Sequence, residues 1–358
     1  MPKILPLKIK LARHKMHLSM EELVSQMGET AVSKMTISKI ERGLLKPSDR
    51  ILQAIADVCH VPVSYFSTDE VTHTDLCFRY VKDIPSKKAK QVEAEVMMKV
   101  EQCFTKEQMV NMPQRFVNPL QDMRITTYSD AEEAAQHLRQ HMLIGTHPIH
   151  SVYEMLQELG VMVVEMDVTS IELLGTSTII NNVYPVVIVN TRACTTTERK
   201  RFTALHELAH LLLNIHPQSE EQYRRDHPDT QLKPPTAERL CHWFANAMLI
   251  SAPSLHRRLG DHRTDISIKE LISIRNMYGI SVAATVHRAH DLGIISDDLY
   301  NHLYDNHISL NRMETGWGNY PVMEIADRYE LLEERIVMEG RGKYKKMTNN
   351  KKETKGQL

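Results

Sequence analysis

The segment His206-Glu207-Leu208-Ala209-His210 carries two histidines four residues apart with a glutamate between them. On a helix, residues at i and i+4 share one face about 6 Å apart, so both imidazoles can reach one metal ion. The intervening carboxylate then points toward the water held by that metal and serves as general base and proton shuttle. The chemistry this predicts is metal-assisted hydrolysis, with His206 and His210 as ligands and Glu207 as the catalytic base. The bare pattern arises by chance often enough that its surroundings must support it. Here Leu205, Leu208, Leu211, Leu212 and Leu213 make the rest of the stretch apolar, and Glu207 is the one charged residue from Thr203 to Asn214. Buried polar side chains without partners cost several kcal/mol. A metal would satisfy all three; an ordinary hydrogen-bond network among them is the alternative.

A catalytic zinc takes three protein ligands and one water. Glu238, 28 residues after His210 and early in the next predicted helix, is the best third ligand. His242 lies four residues further on the same face, placed to act beside the metal as a second catalytic group. The other reading of Glu238 is that it complements the positive end of its own helix, with Thr236 as cap. Histidine and carboxylate ligands suit zinc, with manganese the alternative. For the group stabilising the developing oxyanion, Tyr223, His227 and His242 are all candidates.

The elements that must position these residues are mostly helical. Ser19 caps a helix running to Met27, with Glu21 and Glu22 in its first turn. Another helix spans Ser33 to Arg42 and stops at Gly43; Pro47-Ser48-Asp49 opens the next, and Val61-Pro62-Val63 starts a short last one. Residues 70–85 read as a connector, and Ser86 to Met112 as a long, charged amphipathic helix. Helices are expected over Asp130–Met142 and Ile149–Leu159, then a buried strand at Val161–Val164. Thr178–Ile180 and Val186–Val189 flank Asn181-Asn182 and read as a hairpin. Its second strand is either core or an exposed edge able to hold an extended peptide. The motif helix is expected from Thr203 to Asn214, followed by a polar loop. Further helices are expected over Thr236–Ile250, Ser267–Tyr278, Ser281–Leu292 and Ser296–His307.

The 358 residues suggest two or three domains, and 42% hydrophobic with 25% charged content excludes a disordered or membrane-embedded chain. Five scattered cysteines without a C-x-x-C pair do not make a disulfide framework and fit a reducing compartment. No apolar run reaches the roughly 18 residues of a membrane span, and the first residues lack a secretory pattern. The expectation is a cytoplasmic protein without membrane contact. The net charge of −1 hides local asymmetry: residues 1–50 hold ten Lys or Arg against five acids. The last twenty residues hold seven Lys or Arg against two Glu and read as a disordered basic tail. Within the basic N-terminal part, Ile37 and Ile40 face inward while Lys34, Thr36, Ser38 and Lys39 face out. That is how a helix entering the major groove is built, although a solvated face of a small bundle has the same pattern.

Residues 5 to 66 resemble a helix-turn-helix domain of the Cro/C1 (XRE) type, through Thr36-Ile37-Ser38-Lys39-Ile40-Glu41-Arg42-Gly43, Pro47-Ser48 and Tyr65-Phe66. Glu29-Thr30-Ala31 is an insertion relative to that pattern. Residues from about 130 to 300 resemble the ImmA/IrrE family of metallopeptidases. The likeness rests on Arg201-Phe202-Thr203-Ala204-Leu205-His206-Glu207-Leu208-Ala209-His210, on Glu238-Arg239-Leu240-Cys241-His242-Trp243-Phe244-Ala245, and on Arg288 to Ser296. His242 stands where many relatives have Asn or Asp, and Leu249-Ile250-Ser251 where a proline often closes the segment.

These resemblances imply a mainly α (α+β) chain: a helix-turn-helix bundle over 1–68, a helical connector over 69–127, a zincin-like metallopeptidase domain with a small sheet over 128–312, and a C-terminal extension over 313–358. They imply a zinc metalloendopeptidase with a gluzincin-like ligand set. It would bind operator DNA, with a homodimer as the usual arrangement of such domains. It would cleave a partner repressor, derepressing genes of a mobile element or a stress response. The alternative is a catalytically silent, antitoxin-like regulator whose peptidase-like domain senses metal or binds a partner.

Overall fold

Serine hydroxyls set the frame of the N-terminal unit. Ser19, Ser33 and Ser48 accept from the backbone N–H of Glu22, Thr36 and Ile51, each opening a helix. In a computed structural model, residues 5–16, 18–67, 92, 94–100, 116–168, 173–180, 184–228, 230, 232–318, 320–324 and 326 are described. The chain divides into two compact units, the first built on Met1–His73 and the second on Phe116–Glu324. The first holds α1 (Leu5–Lys15), α2 (Met20–Gln26), α3 (Lys34–Glu41), α4 (Asp49–Val58) and α5 (Ser64–Ser67) around Ile9, Leu23, Ile37, Ile40 and Ile55. Arg13 of α1 is buried and grips Glu41 of α3 with both forks, at 2.6 and 2.8 Å, while also donating to Leu18 O at 2.7 Å. That bidentate pair satisfies two charges that burial would otherwise penalise. The inserted residues before α3 form part of a 3₁₀ turn over Gly28–Thr30, closed by Ala31 N donating to Gly28 O at 3.0 Å. The insertion is thus absorbed before the Ser33 cap.

Residues 94–100 are helical, within the long helix expected from Ser86. The rest of that helix, the connector at 70–85 and the basic tail lie outside the described residues.

The second unit places a three-stranded sheet in the order β2 (Met162–Met166), β4 (Tyr184–Asn190), β3 (Gly175–Ile180). β2 runs parallel to β4, and β3, the first arm of the hairpin, pairs with β4 antiparallel. Val186–Val189 therefore sits in the middle of the sheet, bonded on both sides, and is buried throughout. Its continuous apolar run is the mark of a strand covered on both faces. The edge-strand reading of Val186–Val189 is corrected accordingly: the outer strand on this side is β3.

Before the sheet come β1 (Arg124–Ile125), α6 (Tyr128–His141) and α7 (Val152–Glu158); after it come α8 (Thr197–Leu212) and β5 (Asn214–Ile215), which pairs with β1 in parallel. α9 (Glu220–Asp226), α10 (Ala237–Leu249), α11 (Ala252–Leu259), α12 (Ile268–Tyr278), α13 (Val282–Asp291) and α14 (Asp297–Leu303) complete it. α8 starts six residues before the expected Thr203, capped by Thr196. The expected start leaves out the charged run Thr197-Glu198-Arg199-Lys200-Arg201, yet Glu198 and Arg201 are buried. Arg275 pairs with Glu198 at 2.9 Å, and Arg201 pairs with Glu324. Gly279, at φ +61°, lets its carbonyl meet Arg201 Nε at 3.1 Å, where a Cβ would fall 2.5 Å from that nitrogen. The compact unit extends beyond 128–312 on both sides, since β1 precedes it and Glu314, Tyr320 and Glu324 are buried after it.

Candidate functional site

α8 packs against β3, β4 and α10, and α10 also packs against α6. Arg288 of α13 donates to Glu132 of α6 at 2.6 and 2.7 Å, and Glu132 also accepts from Trp243 Nε1 of α10 at 2.9 Å. That clamp fixes the rotation of α10, and with it the face carrying residues 238, 241 and 242. On α8, the period of the helix turns His206, Glu207 and His210 inward, toward the sheet and α10.

The ligand atoms of His206, His210 and Glu238 all lie within 4.8 Å of one another. His206 Nε2 is 3.0 Å from His210 Nε2, and Glu238 Oε2 is 3.3 and 3.8 Å from the two nitrogens. Two ring nitrogens and a carboxylate oxygen converging this way suit a tetrahedral ion, whose ligands at about 2.1 Å stand about 3.4 Å apart. The two histidines are nearly covered, while Glu238 keeps half its side chain in solvent. A mixed nitrogen and oxygen set of this kind could hold a divalent metal ion. Glu238 is the second residue of α10, with Thr236 accepting from Arg239 N as the cap. The capping reading and the ligand reading of Glu238 are therefore compatible.

Glu207 is buried on the same helix, and Ser177 Oγ of β3 donates to its Oε2 at 3.1 Å. Gly175, two residues before Ser177, is what lets β3 come this close. A Cβ there would meet Thr203 Cγ2 at 2.6 Å, Ile188 O at 2.9 Å and Glu207 Cγ at 3.2 Å. Gly175→Ala is expected to cost about 1–3 kcal/mol in urea unfolding and to displace Glu207; an unchanged midpoint would show that β3 can retreat freely. Neither Gly175 nor Ser177 stands out in the sequence as a site residue, although a glycine inside a strand pattern does signal close approach of another element.

His242 points at the cluster: its ring centroid is 4.6 Å from that of His206, and Phe202 lies edge-on at 5.4 Å. Although the residue is exposed on α10, crowding of its ring by the surrounding protein, and next the neighbouring His206, lower its pKa to about 4 against the opposing pull of Glu238. At pH 7 it is neutral, so it offers a hydrogen bond and not a standing positive charge. Tyr223 and His227, the other oxyanion candidates, stack on each other at 4.7 Å, with Tyr128 edge-on to Tyr223 at 6.1 Å. Cys241, which does not stand out in the sequence as a site residue, places its Sγ 3.0 Å from His210 Nδ1. It shares the i+3 spacing from Glu238 that places residues on one helical face.

In the N-terminal unit, Ile37 and Ile40 of α3 are buried, Met35 and Lys39 are exposed, and Ser38 is half-buried. Met35 is two-thirds exposed. Thr36 is half-buried and its hydroxyl bonds Ser33 Oγ at 2.9 Å. Lys34 is paired with Glu21 of α2, whose carboxyl is held below its usual value chiefly by that lysine.

Residues 156–290 match the model of a peptidase family described as the IrrE N-terminal-like domain, and residues 9–66 match the helix-turn-helix model. The chain joins a helix-turn-helix domain to an IrrE N-terminal-like domain. The IrrE N-terminal-like match spans β2 through most of α13, so His206, Glu207, His210, Glu238 and His242 all fall within it. The helix-turn-helix match includes all of α2 to α4 and so the outward face of α3. No curated protein and no solved structure matches the chain. Among the described residues, no helix is long and apolar enough to cross a membrane.

Proposed function

We propose that this chain is a DNA-binding regulator whose second unit is a zinc-dependent endopeptidase acting on a partner repressor. The convergence of His206, His210 and Glu238 beside the buried carboxylate of Glu207 carries this reading. These three side chains would hold zinc, with manganese the alternative that the same donor set admits. When bound, zinc supplies Lewis acidity, polarising a peptide carbonyl and making water more acidic. Glu207, oriented by Ser177, takes a proton from the attacking water and returns it to the leaving amine. His242, neutral and beside His206, is placed to donate to the carbonyl oxygen as charge develops. An outer strand β3 packed on α8 can align an extended substrate beside the metal ligands. The helix-turn-helix domain, acting on operator DNA as a homodimer, directs the peptidase to the repressor that occupies it. The reading places the protein in the cytoplasm.

The deciding experiment maps new protein N-termini in host cells producing wild type or Glu207→Gln, with and without DNA damage. Fragments confined to wild type support the reading and identify the substrate. Matching proteomes under every condition would transfer support to a regulator that senses metal without cleaving.

The DNA contacts are tested by salt dependence. Lys39→Ala is expected to weaken binding evenly across sequences and to reduce the slope of log K against log salt by about 0.9. Lys34→Ala is expected to do less, because Glu21 already holds that ammonium. An unchanged slope for Lys39→Ala removes Lys39 from the phosphate contacts.

A further inference from the structure

We propose that Cys241 is a positioning residue that holds His210 in its metal-binding tautomer. This rests on the metal-centre reading above.

An imidazole that donates its Nε2 lone pair to a metal must carry its proton on Nδ1. The ring nitrogens that converge with Glu238 are the Nε2 atoms of His206 and His210. The proton of His210 therefore belongs on Nδ1, and Nδ1 faces Cys241 Sγ at 3.0 Å. In that tautomer the N–H donates to sulfur. The thiol is fully buried on α10, one turn after Glu238, so the helix that brings the third ligand also brings the partner of the second. A partner on the far nitrogen fixes ring orientation and raises ligand basicity.

His206 provides the internal contrast. Its Nδ1 is buried with no hydrogen-bond partner. The two motif histidines are thus unequal: one ring is anchored from behind by a side chain on another helix, and the other is held by its stacking with Phe202 and its edge contacts with His210 and His242. The effect of Cys241 should accordingly appear in metal affinity, through His210, before it appears in peptide cleavage.

The test is zinc affinity of the full chain, stripped of metal and titrated against a chromophoric chelator, with the metal-free melting curve as the control for packing. Cys241→Ala removes the acceptor and is expected to weaken zinc binding 10- to 100-fold. Cys241→Ser keeps an acceptor in nearly the same place and is expected to recover most of that loss, although it packs no better than alanine in an apolar surrounding. His210→Ala is expected to abolish binding and serves to test the metal-centre reading itself. If His210→Ala abolishes binding while Cys241→Ala binds as wild type does, the positioning role is wrong and the metal centre stands. If serine fails to rescue alanine, the loss is one of packing and the hydrogen bond is overturned. If His210→Ala binds zinc normally, the metal-centre reading fails, and the role of Cys241 with it.

Discussion

Glu207→Gln is expected to lower peptide cleavage by about 100- to 10,000-fold, the range for losing a positioned general base, with zinc content and melting temperature close to wild type. The geometry separates these effects. The ligand atoms that converge belong to His206, His210 and Glu238, so an amide at position 207 leaves the donor set intact. Glutamine has the volume of glutamate and retains an oxygen that can accept from Ser177 Oγ, so the contact with β3 survives. What is lost is basicity alone. Cleavage of the substrate identified by N-terminal mapping, measured with equal zinc loading, gives the comparison. Retention of more than a tenth of the rate would mean that Glu207 does not move the proton. A loss of zinc in parallel would mean that Glu207 helps to hold the ion, and the rate would then say nothing about proton transfer.

The same residues show where a sequence is transparent and where it is not. His206, Glu207 and His210 are legible because their relation is set by one helical period, which needs nothing beyond the helix itself. Glu238 is legible for a related reason: it has a partner at i+4, and the next predicted helix was the natural place to look. Ser177 and Gly175 are not, because their relation to Glu207 exists only once β3 packs across α8. No spacing rule connects positions thirty residues apart in different elements. Cys241 fell between these cases, since the i+3 position was as visible as the i+4 position, but cysteine reads first as a small buried hydrophobe. Most helices are legible in outline from their serine and threonine caps, but α9 lies in the stretch from Ile215 to Pro235 that reads as a polar loop, and α11 falls between two expected helices. The start of α8 was not, because five residues, four of them charged, look solvated when their buried partners, Arg275 and Glu324, lie far along the chain.

Those distant partners lead to the largest expected effect on stability. Glu324→Gln is expected to destabilise the second unit by about 3–5 kcal/mol, the cost of leaving one member of a buried ion pair behind. For a unit of this size that corresponds to a fall in melting temperature of about 6–20 °C. The Glu324 carboxylate accepts from Ser151 Oγ at 2.8 Å and from the backbone N–H groups of Val152 and Tyr153 at 2.9 Å, at the start of α7. It also pairs with Arg201, and both side chains are completely buried. Glutamine can still accept from one or two of these donors, but it leaves the guanidinium of Arg201 without its counter-charge. Arg201 lies on α8 five residues before His206, so the loss acts on the helix that carries the metal ligands. A chain ending at 312 removes Glu314, Tyr320 and Glu324 together, whereas one ending at 326 keeps all three. The shorter chain is expected to melt well below the longer one. If Glu324→Gln melts within about 2 °C of wild type, Arg201 is neutralised by something other than Glu324. If the two truncated chains melt together, the residues after 312 are a passive extension, and the unit that holds the metal ligands ends where its last long helices do.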